Sequence, residues 1–406
     1  MPQGPGSTHR VLNVDLDRDD DPTAPAPGWA PRRMVRLVGA LRELSRRAAE
    51  SGATPLSLLR RAMRLRRTGG LGLRDCIDQG LLDPALPSHA LDAALSKMRM
   101  VELQRPLNPQ SRECLTEDKA LYYAYCQSLG VPVPKLYAVF GSLGGYDRYG
   151  KDLVGKSPWV DFIEHTLPDE FVVKPAYGYY GIGVRVFQRD GHDLVDHSGR
   201  QRTAANLFDE LHAGGAFRKF IFQERMRPHS RLAELSNSLA LQTARVITLV
   251  RDDGKVTVEN AILRLARSDQ IIDNIHGGRT GNLAARIDLQ TGRLAEGWMF
   301  DEHRSLIRTD RHPQSRNALR GFQLPDWQRA LSLVRRAAVL FLPSRCLGWD
   351  VAFTGNGPLL LEANMHWDPL NLMGIDLSAA AGQRTLRDSL HDMRLIGSNH
   401  PAQAED

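Results

Sequence analysis

Residues 171–187, FVVKPAYGYYGIGVRVF, restrict the fold more than any other stretch of the chain. An apolar run ends in Lys174-Pro175, a loop with Gly178, Gly181 and Gly183 follows, and a second β-type run begins at once. Glycines let backbone N–H groups approach an anion closely, and a lysine at a strand end supplies a point charge for phosphate oxygens. The glycines read GxxGxG and lead into a strand, so the segment is not a dinucleotide fingerprint, which opens a helix. It reads as a hairpin loop that covers phosphate, or as a plain tight hairpin with an exposed lysine. Upstream, Gly145–Asp152 spells GYDRYGKD, one residue away from a GxxxxGK[ST] phosphate loop. Asp152 stands where a magnesium-binding hydroxyl is needed and would set a carboxylate beside the phosphates, so this segment is not expected to bind them.

A second signal is GWDVAFTGNGPLLLEANMHWDP, residues 348–369. Asp350 starts one apolar run, Asn356-Gly357-Pro358 makes a turn, and Leu359 to Leu361 lead into Glu362 and Asn364. Residues two apart in a strand face the same side, so Glu362 and Asn364 can converge on one ligand, and the turn folds Asp350 back beside them. Two carboxylates and an amide oxygen form a hard donor set suited to Mg²⁺. The alternative is a surface hairpin with acidic ends.

Around these motifs, β-type runs are expected at 135–140, 220–223, 245–250, 256–265 and 284–289, with helices near 116–129, 157–165, 204–213, 325–342 and 377–394. Thr116 is the expected N-cap of the first helix and Gly130 its stop. Strands in hairpin-like pairs mixed with packing helices indicate an α+β fold with more than one sheet.

Charge is unevenly spread. From Pro31 to Arg67 eleven arginines face two glutamates, +9 in 37 residues, whereas the other 369 residues carry 42 basic and 45 acidic side chains, or −3. A nucleic-acid footprint over the whole protein is therefore not expected. The segment reads as a basic helical hairpin broken at Ser51-Gly52, able to cover acidic surface, touch anionic lipid or dock a partner. Before it, a Pro- and Asp-rich stretch to about residue 31 reads as a disordered tail. Cys76, Cys114, Cys126 and Cys346 show no CxxC spacing, so neither structural zinc nor a disulfide framework is expected. With no signal h-region and no run of 18 apolar residues, the sequence reads as cytoplasmic and non-spanning.

Taken together, the lysine–glycine loop and the Asp350/Glu362/Asn364 set resemble the ATP-grasp superfamily, closest to its sugar-transfer-associated branch related to α-L-glutamate ligases. The resemblance covers roughly residues 60–395 and implies two α+β lobes gripping ATP, preceded by the basic helical segment. The implied divisions are a tail to residue 31, a basic helical region at 32–100, a pre-ATP-grasp segment at 101–170, a small lobe at 171–224, a large lobe with the metal site at 225–395, and a tail at 396–406. Lys174 looks like the central lysine on the α and β phosphates, with Gly178, Gly181 and Gly183 closing over them, and Lys119 like the first ATP lysine. The strand ending FQERM resembles the inter-lobe hinge, where Gln223, Glu224 and their backbone would meet adenine and Met226 would pack on its face. Asp350, Glu362 and Asn364 look like ligands of Mg²⁺, with Mn²⁺ as an alternative. Many relatives carry an arginine two residues before the aspartate; here that residue is Gly348, and Arg245 or Arg264 is expected to supply the transition-state cation. The loop DNIHGGRTGN, with Asn274, His276 and Arg279, matches an acceptor loop of the branch, and His229, His366 and Trp367 could border the substrate. The implied activity is a Mg²⁺- and ATP-dependent carboxylate–amine ligase working through an acyl phosphate on small molecules, in cell-surface glycan or peptide modification. The alternatives are an ATP-grasp kinase acting on a hydroxyl and a non-catalytic nucleotide-binding module.

Overall fold

The computed structural model describes residues 39, 42–49, 51–86, 88–178, 181–267, 273, 275, 280–301, 306–369 and 389–393. Two antiparallel sheets organise the chain, as the pairing of apolar runs predicted. The first contains β1 (Leu136–Gly141), β2 (Gly144–Asp147), β3 (Asp152–Leu153), β4 (Glu170–Pro175), β5 (Arg185–Asp190), β6 (Asp193–Asp196), β7 (Gln201–Arg202) and β8 (Lys219–Glu224). Their order is β3-β2-β1-β8-β4-β5-β6-β7, so β8 returns through the helix Ala204–Ala213 to lie between β1 and β4. This sheet joins strands from the 101–170 segment to those of 171–224.

The second sheet contains β9 (Thr243–Val250), β10 (Val256–Leu265), β11 (Leu283–Ile287), β12 (Leu294–Phe300), β13 (Leu306–Thr309), β14 (Cys346–Thr354) and β15 (Gly357–Asn364), in the order β13-β12-β11-β10-β9-β14-β15. The helix Trp327–Leu340 carries the chain from the β13 edge back to β14.

Alternation along the strands decides which side each core takes. On the first sheet Phe140, Phe171, Phe187, Phe220 and Phe222 pack with Trp159 and Phe162 of the helix Lys156–His165 and with Leu207, Phe208 and Leu211. The opposite pleat, with Leu136, Val139 and Ile221, joins Tyr122, Tyr123 and Cys126 of the helix Lys119–Ser128 in a core that continues into the second sheet through Val246, Leu263, Trp349 and Val351. One shared core therefore fixes the two sheets against each other. Helices Pro55–Gly69, Leu73–Asp78 and Ser88–Ala93 form a separate cluster that docks on Trp298 of β12.

One local expectation needs correction. The helix expected at 116–129 is two: Cys114–Glu117 ends at Asp118, whose carboxylate accepts from Ala120 N and caps a new helix starting at Lys119. Thr116 is not its N-cap. The GYDRYGKD segment is the β2–β3 hairpin, and Asp147 Oδ1 accepts from the backbone N–H groups of Tyr149 and Lys151, occupying amides that a phosphate loop would offer. Of the helix expected at 377–394, only residues 389–393 are described, and these are helical. All four cysteines are free.

Candidate functional site

Register brings the polar residues of the second sheet together. Arg245 on β9 lies opposite Asp350 on β14, Asp350 lies opposite Glu362 on β15, and Gly348 lies opposite Asn364. Directly opposed residues share a face, so these side chains project from one side of the sheet while Trp349, Val351 and Phe353 fill the other. Arg264 joins them from β10, where Ile262 pairs with Arg245 two residues earlier.

The side chains on this face hold one another. Asp350, 6% exposed, takes Arg245 Nε on Oδ1 at 2.5 Å and Arg264 Nη2 on Oδ2 at 2.8 Å. Burial works against its charge, but the two guanidiniums outweigh burial and hold the carboxyl down at about 2. Arg264 also bonds Thr243 Oγ1 and lies 3.6 Å from Asp273 Oδ2, which accepts from Thr243 N at 2.7 Å. Burial lowers the basicity of Arg264, yet Asp273 and Asp350 reverse the effect and raise it. Thr243 and Asp273 are the residues that sequence reasoning missed. Thr243 stands two positions before Arg245, the strand period that places both on one face, and Asp273 opens the DNIHGG loop. Asn274, His276 and Arg279 of that loop lie outside the described residues.

From the other side come two buried lysines. Lys119, at the first position of its helix, reaches Glu362 Oε1 at 3.3 Å and donates to Gly178 O at 3.0 Å. Lys174, next to last in β4, donates to Tyr123 Oη at 3.0 Å and sits 5.1 Å from the centroid of that ring, while Tyr123 Oη donates to Leu361 O on β15. Burial depresses Lys174 to about 8, with Glu362 opposing the shift. Four cations and three carboxylates thus gather where the two sheets meet. The glycine loop leaves Lys174 as expected: Gly181 and Gly183 adopt φ of 72° and 78°, and a Cβ on Gly183 would meet Pro175 Cγ at 2.9 Å.

At the expected hinge the two neighbouring residues point to opposite faces. Gln223 pairs with Val172, two residues from Lys174, so its side chain lies on the Lys174 face. It is buried there, and its Oε1 has no hydrogen-bond partner among the described residues. Glu224 pairs with Phe171 on the other pleat, and its carboxylate accepts from Lys135 N at 3.2 Å while its own N–H donates to Lys135 O. This corrects the reading of Glu224 as a cleft residue, since strand period places it on the wrong side. Met226 lies in the extended segment after β8.

Gly348 has a steric reason to lack a side chain: a Cβ there would lie 3.0 Å from Trp367, which is 1% exposed. Trp367 is packing and not cleft surface. His229 caps the helix Ser230–Ser236 through Nδ1, and burial lowers the basicity of His366. Among the described residues no group of three or more His, Cys, Asp or Glu side chains could hold a metal ion. The expected set instead combines two carboxylates with an amide. Asn364 Nδ2 donates to Gly348 O at 3.2 Å, which leaves Oδ1 as the acceptor atom a cation would meet, and each carboxylate has about four lone-pair sites, more than its observed contacts use. This donor chemistry fits a hard divalent cation.

The sequence profile of sugar-transfer associated ATP-grasp proteins matches residues 98–389. A search of curated proteins finds no match. Solved structures similar to this chain include the D-alanine-D-alanine ligase from Coxiella burnetii (10% identity, TM-score 0.36, covering 70% of this chain and 57% of that one). Biotin carboxylase from Campylobacter jejuni is also similar (13%, 0.40, 71% and 47%), as is an L-amino acid ligase from Bacillus licheniformis (11%, 0.32, 62% and 40%). The chain spans about half the length of these structures, and similarity at this level adds nothing to the assignment. The profile match spans most of the chain and contains both lysines, both arginines, the hinge and the Asp350–Asn364 hairpin: the protein belongs to the sugar-transfer associated ATP-grasp family.

Proposed function

We propose that the protein is an ATP-dependent carboxylate–amine ligase that works through an acyl phosphate. The observation that carries this reading is the opposition of Lys119 and Lys174 to the Arg245–Asp350–Arg264 and Glu362/Asn364 face across one cleft. A carboxylate is a poor electrophile, so activation is required. One carboxylate oxygen attacks the γ-phosphorus of ATP, ADP leaves, an amine nitrogen then attacks the acyl carbon, and phosphate departs as the amine loses a proton. Positioning and charge neutralisation suffice for both steps, and no side-chain nucleophile is needed.

In this reading Lys119 and Lys174 hold the nucleotide phosphates beneath the Gly178–Gly183 loop, and Gln223 Oε1 accepts from the base amino group, a role transferred from Glu224. Met226 packs against the base. Arg245 and Arg264 stabilise charge on the transferring group. Asp350, Glu362 and Asn364 hold Mg²⁺ or Mn²⁺, which when bound neutralises phosphate oxygens.

The test is ATP turnover with amino-acid and sugar-acid carboxylates in the presence of hydroxylamine. Stoichiometric ADP and a hydroxamate are expected. A stable phosphoester product would instead establish a kinase, AMP release would overturn both readings, and nucleotide binding without turnover across the screen would leave a binding module.

A further inference from the structure

The helix Pro55–Gly69 divides the basic segment into two jobs. One side, Leu58, Ala62, Leu65 and Gly69, is buried in the cluster that docks on Trp298. At about 100° per residue, Leu56, Arg60, Met63 and Arg67 fall within an arc of about 60° on the opposite side. There Leu56 is 55% and Met63 45% exposed, and Arg60 and Arg67 are exposed with no ion-pair partner among the described residues. Two other arginines are engaged: Arg61 donates to Asp83 O and Arg64 pairs with Asp92. No aspartate or glutamate occurs between Pro55 and Arg74, so the face carries one sign of charge.

We propose that this face rests on the anionic surface of a lipid bilayer. A nucleic-acid backbone would be met by the arginines alone and would leave both apolar side chains in water. Lipid headgroups above acyl chains accommodate both kinds of residue: Leu56 and Met63 insert, and the guanidiniums stay at the level of the phosphates. Seven residues separate the two apolar groups, about 10 Å along the helix axis, so both enter when the helix lies parallel to the surface. Attachment is peripheral, since no helix among the described residues is long and apolar enough to cross a membrane. The face lies outside residues 98–389, so the proposal stands independently of the reaction in the cleft.

The test is co-sedimentation of the full chain with vesicles of phosphatidylcholine alone or with phosphatidylglycerol added, at low and high salt. Binding is expected only to the anionic vesicles and should weaken with salt. Each arginine near such a surface is worth about a fivefold change in partition, so R60Q/R67Q should lower binding about 25-fold. L56S/M63S should weaken binding at unchanged charge, and both double variants should keep the parent's melting temperature because they alter only the exposed side. Equal binding to neutral vesicles, undiminished binding by either variant, or charge-dependent capture of duplex DNA with no vesicle binding would overturn the proposal.

Discussion

On the first sheet Lys174 has no carboxylate ion-pair partner among the described residues, is buried against Tyr123 and is depressed in basicity to about 8. On the second, Arg245 and Arg264 arrive already paired, gripping Asp350 from two sides with Asp273 and Thr243 behind Arg264. Lysine is a compact, strongly hydrated point charge that shifts readily on burial, whereas the guanidinium forks are always charged and geometrically fixed. Cations of the same formal charge therefore differ in what the fold gains from them. The arginine side is a structural ion-pair array, and the lysine holds its charge at a cost to stability, in place for an incoming anion.

The contrast is easiest to break at Asp350. Replacing it by alanine leaves two partly buried guanidiniums without their shared partner, a loss of about 3 kcal/mol. Denaturant titration should show it as a fall in midpoint, and an unchanged midpoint would mean that the array supports nothing. Lys174→Met should behave in the opposite way. It removes a desolvated charge, so stability should hold or rise, while on the proposed reading ATP-dependent turnover should fall by about 100-fold or more. Destabilisation comparable to that of the Asp350 variant would erase the distinction between the sheets.

The smallest effect is a pH limb. Lys174 is charged below about 8 and neutral above it, so kcat/KM for ATP in the free enzyme should decline as pH rises through about 8. In Lys174→Arg that limb should flatten, because arginine does not deprotonate in this range. A limb that survives the substitution belongs to another group.

Much of this arrangement is legible in the sequence because strand alternation is local. The runs at 171–174, 245–250 and 256–265 define their strands nearly to the residue, and the two-residue spacing of Glu362 and Asn364 correctly places them on one face. Short strands such as β3 and β7, two residues each, offer no period to read. The break before Lys119 was invisible because a continuous helical pattern does not reveal that Asp118 caps a new start and binds Lys219, 101 residues away. Glu224 was misread for a related reason: its partner Lys135 is 89 residues distant, and the side to which each hinge residue points depends on a register that only the folded sheet supplies. Arg245 and Arg264 were recognisable as cleft residues, but not their joint hold on Asp350, which requires β9, β10 and β14 to lie side by side.

Lys119 has one further consequence. Its ammonium group holds the backbone of the glycine loop at Gly178 and, through Glu362, the outermost strand of the opposite sheet. Lifting the loop away from β15 must give up at least one of these contacts, so the position of the loop and the freedom of the Glu362 carboxylate are mechanically coupled. An anion that drew Lys119 toward itself would release the Gly178 carbonyl and the Glu362 carboxylate together, so one side chain's reach links the two sheets.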